Sequence, residues 1–122
     1  MQPKKILVID DDLDIRLGLN ARLRANGYEA VFAEDCIGAV SVAREEEPDL
    51  ILLDLGLPGG DGFMVLERLK ENASLATIPV VVLSARDAEE NERRALKGGA
   101  AAFLEKPAEN DELLGAIARA IG

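Results

Sequence analysis

Four apolar runs punctuate the chain, and each gives way abruptly to polar residues. Ile6-Leu7-Val8-Ile9 ends in Asp10-Asp11-Asp12, and Leu50-Ile51-Leu52-Leu53 ends in Asp54. Val80-Val81-Val82-Leu83 ends in Ser84, and Ala102-Phe103-Leu104-Glu105 runs into Lys106-Pro107. Apolar runs of this length, bounded by turn signals, predict strands buried on both faces of a parallel sheet. Tyr28 to Ala33 supplies a fifth strand between the first two.

Helical periodicity fills the intervals. Asp12 to Asn26 places Ile15, Leu19 and Leu23 on one face, with Gly27 at the position expected after a helix end. A second helix from about Cys36 to Glu46 turns Ile37, Val40 and Ala43 inward and stops before Pro48. After the extended loop Gly56-Leu57-Pro58-Gly59-Gly60-Asp61-Gly62, a helix from about Gly62 to Asn72 buries Val65, Leu66 and Leu69. Pro79 opens the fourth strand. Asp87 with Glu90 forms a capping-box pattern for a helix reaching about Lys97, where Gly98-Gly99 ends it. That helix is sparsely apolar, with only Ala88, Ala95 and Leu96 to pack. The last helix, from about Glu109 to Ile121, buries Leu113, Leu114, Ile117 and Ile121.

Strict alternation of five strands and five helices predicts a doubly wound α/β fold, a five-stranded parallel sheet with helices on both faces. The order 2-1-3-4-5 is taken from known flavodoxin-like sheets of this kind, not from the residues. Ligands of such sheets bind at the carboxyl ends of the strands. Asp10, Asp11, Asp54, Ser84 and Lys106 all stand there. Clustered carboxylates repel one another and invite a divalent cation; a hydroxyl and an ammonium beside them suit a phosphoryl group. The bland alternatives are a helix cap among the three aspartates, and solvated turn residues at Ser84 and Lys106.

Composition narrows the chemistry. The 122 residues, 48% hydrophobic, suffice for one ordinary domain spanning 1–122. A formal net charge of −9 argues against direct binding to nucleic acid. The single cysteine, Cys36, allows no internal disulfide and suits a reducing cytoplasm. No apolar stretch approaches the ~20 residues of a membrane span, and no signal peptide precedes the first strand. Histidine is absent, which excludes a histidine triad, a histidine metal site and an internal phosphohistidine.

Taken together, these residues resemble the receiver domain of two-component response regulators, a CheY-like fold. The likeness covers essentially the whole chain. It rests on the acid pair Asp10-Asp11, on Asp54 within Asp54-Leu55-Gly56-Leu57-Pro58-Gly59-Gly60-Asp61-Gly62, on Ser84-Ala85, on Phe103 and on Lys106-Pro107. The resemblance implies that Asp54 accepts the phosphoryl group. It implies Mg²⁺, or Mn²⁺ in its place, held by Asp11, Asp54 and the backbone carbonyl of Gly56, with Asp10 acting mainly through water. Lys106 would pair with Asp54 and later with the phosphoryl group, and Ser84 would donate its hydroxyl to that group. Phe103 would rotate inward as Ser84 moves, changing the face of the fourth helix, fifth strand and fifth helix.

The implied partners are a histidine kinase or a His-containing phosphotransfer domain as donor, and an output protein or attached effector domain. The chain would be a monomer or a phosphorylation-dependent dimer, catalysing only its own phosphorylation and dephosphorylation. Departures from the family pattern are Gly56 and Gly60 where larger side chains are common, and Ala108 in place of the frequent Phe. Gly56 and Arg86 are expected to set the lifetime of the phosphorylated state. The competing readings are a phosphorylation-independent binding module, an aspartate-nucleophile phosphatase and a flavin carrier. The first predicts a missing acid, nucleophile or lysine. The second predicts Asp-x-Asp-x-Thr after the first strand, and the third a phosphate-cradling loop there; none of these is found.

Overall fold

The computed structural model describes residues 2–56, 62–85 and 88–121. The loop 57–61, with Gly60, and the pair Arg86-Asp87 lie outside the described residues, so the expectations for Arg86 and for the Asp87 cap are not addressed by it. Ten elements alternate: β1 (Lys5–Ile9), α1 (Leu13–Ala25), β2 (Glu29–Ala33), α2 (Cys36–Glu46), β3 (Leu50–Asp54), α3 (Gly62–Glu71), β4 (Val80–Ser84), α4 (Ala88–Lys97), β5 (Ala102–Glu105) and α5 (Asn110–Ile121). All strand pairs are parallel and the order is β2-β1-β3-β4-β5. The predicted doubly wound fold is present.

Because side chains alternate across a strand, each apolar run feeds two cores. Leu7, Ile9, Ile51, Leu53, Val80 and Val82 pack with α2 and α3 on one face. Ile6, Val8, Leu50, Leu52, Val81 and Leu83 pack with Leu19, Leu23, Leu113 and Ile117 of α1 and α5 on the other. The Ala108 departure is visible here: a cavity of about 460 Å³ opens beside it, lined also by Ile15, Leu19 and Leu113.

Helices α1 and α3 match their periodicity, α5 buries Leu113 and Ile117 with Ala116 while the expected Leu114 and Ile121 are only half-buried, and α2 is rotated. The expectation that Ile37 faces inward is corrected: it is 80% exposed, while Cys36, Ala39 and Ala43 are buried. Asp35 sets the phase by capping α2 through Gly38 N–H, and the small Cys36, Ala39 and Ala43 let the helix lie close to the sheet. Helix α4 is held as thinly as its composition predicts. Ala95 is its buried side chain among the described residues, and Leu96 is 47% exposed.

Candidate functional site

Strand register builds the site. Ile9 of β1 pairs with Leu53 of β3, so the next residue on each strand, Asp10 and Asp54, emerges side by side at the carboxyl edge. Asp54 pairs with Leu83 on β4 and Ser84 with Glu105 on β5, which brings the hydroxyl and Lys106 to the same edge. Backbone bonds lock this arrangement: Asp10 N–H donates to Ala33 O, Leu55 N–H to Leu83 O and Lys106 N–H to Ser84 O. The Lys106–Pro107 peptide is cis.

The three carboxylates converge as the sequence suggested. One oxygen each from Asp10, Asp11 and Asp54 lies within 4.8 Å of the other two. Asp10 is almost wholly buried, whereas Asp11 is exposed. Asp12, the third of the run, is the helix cap: its Oδ1 accepts from the N–H groups of Asp14 and Ile15. The helix cap expected among the three aspartates is therefore Asp12, while Asp10 and Asp11 converge with Asp54.

Lys106 is shared. Its Nζ lies 3.2 Å from Asp54 Oδ1 and donates to Asp10 Oδ2 at 3.4 Å. Asp10 Oδ1 also accepts from Asp12 N–H at 3.0 Å. Burial nevertheless holds the Asp10 carboxyl above its ordinary value of 3.8, and the negative charge of Asp54 adds to the effect. The Asp12 N–H and the Lys106 ammonium oppose that rise without cancelling it. A buried acid that resists ionisation beside two further acids is a place where added positive charge is favourable. An all-oxygen donor set suits a hard cation such as Mg²⁺.

Gly56 N–H donates to Asp54 Oδ1 at 3.2 Å. A Cβ at Gly56 would stand 3.7 and 3.8 Å from the two Asp54 oxygens, so the missing side chain is one that would overlook the carboxylate. Ser84 is 4% exposed, and its Oγ accepts from Asn91 Nδ2 at 3.2 Å. Phe103 is half-buried on β5 and packs against the α2–α3 core.

Two contributors escaped the sequence. Asn91 reads as a surface residue of a polar helix, yet with Ala88 and Ala95 it falls on one stripe at i, i+3, i+7. Gly62 reads as loop, yet a Cβ there would stand 2.6 Å from Leu55 Cα. Only glycine lets α3 begin this close to the backbone that follows Asp54.

With these features in place, comparison with known proteins is decisive. The family model described as "Response regulator receiver domain" matches residues 6–118. This chain belongs to that family. The receiver is 43% identical over 114 residues to the phosphate regulon transcriptional regulatory protein PhoB of Klebsiella pneumoniae, covering 93% of this chain and 50% of that protein. It is 33% identical to protein PilH of Pseudomonas aeruginosa, covering 93% of each. The chain thus spans about half the length of PhoB and nearly all of PilH. Among solved structures, a response regulator of Chloroflexus aurantiacus superposes with a TM-score of 0.92 at 28% identity, covering 98% of each chain. Chemotaxis response regulator CheY4 of Vibrio cholerae gives 0.89 at 26% identity, covering 97% of this chain and 98% of that one. No helix among the described residues is long and apolar enough to cross a membrane.

Proposed function

We propose that this receiver is a phosphorylation-driven switch of a cytoplasmic phosphorelay in which Asp54 takes a phosphoryl group from a phosphohistidine on a partner kinase or transfer domain. The observation that supports it best is Lys106 placed between Asp54 and Asp10 at the carboxyl edge of the sheet. An Asp54 oxygen attacks phosphorus, the new O–P bond forms as the N–P bond breaks, and the imidazole leaves with the bonding pair. Such transfer depends on positioning and charge neutralisation more than on nucleophile strength. Lys106 starts beside the attacking oxygen and stays to meet the charge of the transferred group. Asp10, Asp11, Asp54 and the Gly56 carbonyl would hold Mg²⁺, which supplies further neutralisation when bound. Ser84 then donates its hydroxyl to a phosphoryl oxygen, Phe103 turns inward, and the α4–β5–α5 face changes. That face passes the signal to a partner protein or an effector domain.

The shape change is tested with beryllofluoride and Mg²⁺, which mimic a phosphoryl group on a carboxylate without chemistry. Backbone NMR resonances of α4, β5 and α5 should move in the wild type and stay in place in Asp54→Ala. Movement confined to the loops around Asp54 would mean that the site binds phosphoryl groups but does not switch this face.

A further inference from the structure

We propose that Asn91 is a positioning residue: it ties Ser84 to α4 at rest and lets go when Ser84 turns to a phosphoryl group on Asp54. The inference rests on the receiver reading above and adds to it the bond that is exchanged. Ser84 is the last residue of β4, and Asn91 sits in the first turns of α4. The Asn91 Nδ2 to Ser84 Oγ bond of 3.2 Å therefore joins the end of β4 to the start of α4. It lies against a nearly buried hydroxyl, where an electrostatic contact is stronger than it would be in water.

The two halves of α4 are anchored differently. Towards the C-terminal end, Ala95 is fully buried and the Arg94 guanidinium stacks over the Phe63 ring of α3, 3.9 Å from its centroid. Towards the N-terminal end, Asn91 occupies the sheet-facing stripe position that an apolar residue would ordinarily fill. Its amide instead makes a directional bond to Ser84, the residue that turns to the phosphoryl group. Ser84 Oγ accepts from Asn91 and could donate elsewhere at the same time, so the exchange comes from movement. When Oγ turns to donate to a phosphoryl oxygen it is carried away from Asn91, and the charge-assisted bond gained outweighs the neutral one broken. The first turns of α4 are then loosened while Arg94 and Ala95 keep the far end in place. The reaction at Asp54 is thereby transmitted to α4 through the Ser84–Asn91 pair.

The test combines Asn91→Ala, Asn91→Asp and Ser84→Ala with two readouts, beryllofluoride affinity in Mg²⁺ and amide hydrogen exchange of α4 in the unmodified protein. Asn91→Ala should tighten beryllofluoride binding about fivefold, the change equivalent to one neutral hydrogen bond that no longer has to break. It should also speed exchange in the first turns of α4, the opposite of what the higher helix propensity of alanine alone would do. Asn91→Asp should weaken binding, because a carboxylate accepts the Ser84 hydroxyl and withholds it. In a Ser84→Ala background, Asn91→Ala should have no further effect on binding. An equal effect with and without Ser84, or unchanged α4 exchange, overturns the coupling while the receiver reading stands. Failure of the wild type to bind beryllofluoride overturns the proposed phosphorylation switch, and this coupling with it.

Discussion

The ammonium of Lys106 stands 3.2 Å from Oδ1 of Asp54, the place from which, in the transfer proposed above, it would neutralise the attacking oxygen and then its product. Asp54 ends β3, and Lys106 directly follows β5 of the same sheet with its N–H bonded to Ser84 O, so the pair needs no rearrangement to form. Lys106→Ala should slow phosphorylation by acetyl phosphate roughly a hundredfold, the usual cost of removing one preorganised donor from a site of developing charge. Single-turnover rates at saturating Mg²⁺ check this. Wild-type rates in Lys106→Ala would remove the lysine from the reaction.

Asp10 makes metal-free stability fall with rising pH. Its folded value lies above 3.8, chiefly because it is buried. Below 3.8 it is protonated in both folded and unfolded chains; above the raised folded value it is ionised in both. Between the two the folded state holds more proton, so unfolding becomes easier as pH climbs through that window. Asp10→Asn keeps an oxygen for Asp12 N–H and removes the charge. In chelator, urea unfolding of this variant should show higher stability than wild type at neutral pH and a diminishing gain as pH falls towards 3.8. The same substitution should reduce stabilisation by added Mg²⁺.

Two glycines should respond oppositely to alanine. At Gly62 a Cβ meets Leu55 Cα at 2.6 Å and Asp54 O at 3.0 Å, both backbone, and Leu55 Cδ2 at 3.0 Å, so the chain following Asp54 must shift. Gly62→Ala should destabilise by about 1–3 kcal/mol and slow phosphorylation as well. At Gly18, inside α1, a Cβ meets nothing within 4 Å. Gly18→Ala should stabilise by about 0.5–1 kcal/mol through helix propensity, with phosphorylation unchanged. Denaturant midpoints and acetyl phosphate kinetics on both variants check the pair.

Gly56 places no side chain over the Asp54 carboxylate. A side chain at that position starts 3.7 Å from the carboxylate, and the backbone there does not need glycine's left-handed freedom. Gly56→Met should therefore shield the phosphorylated carboxylate and lengthen its lifetime severalfold, measured by decay of the phosphorylated mass after the donor is removed. A shorter lifetime would mean that the added side chain guides water instead of excluding it.

The strands and their acids were legible because the signal is steep: four apolar residues followed by aspartate leave little choice of element or of edge. The rotation of α2 was not, since Cys36, Ala39 and Ala43 are small and carry a weaker apolar signal than Ile37, which points outward. Asn91 was hidden by chemistry of the opposite kind, a polar side chain whose amide reaches the nearly buried Ser84 hydroxyl. Spacing also could not show that Lys106 is divided between Asp54 and Asp10, because the reach of a long side chain is settled only once both carboxylates are in place. Gly62 looked like one more loop glycine; its role lies in the approach of two backbones, which no periodicity records.

The central claim is that Asp54 itself becomes phosphorylated. The most direct measurement is the intact mass of the protein after incubation with acetyl phosphate, with Mg²⁺ or with chelator, beside Asp54→Asn. The account predicts a gain of one phosphoryl group in the wild type with Mg²⁺, and none in chelator or in the variant. No gain in the wild type, or an equal gain in Asp54→Asn, would contradict it.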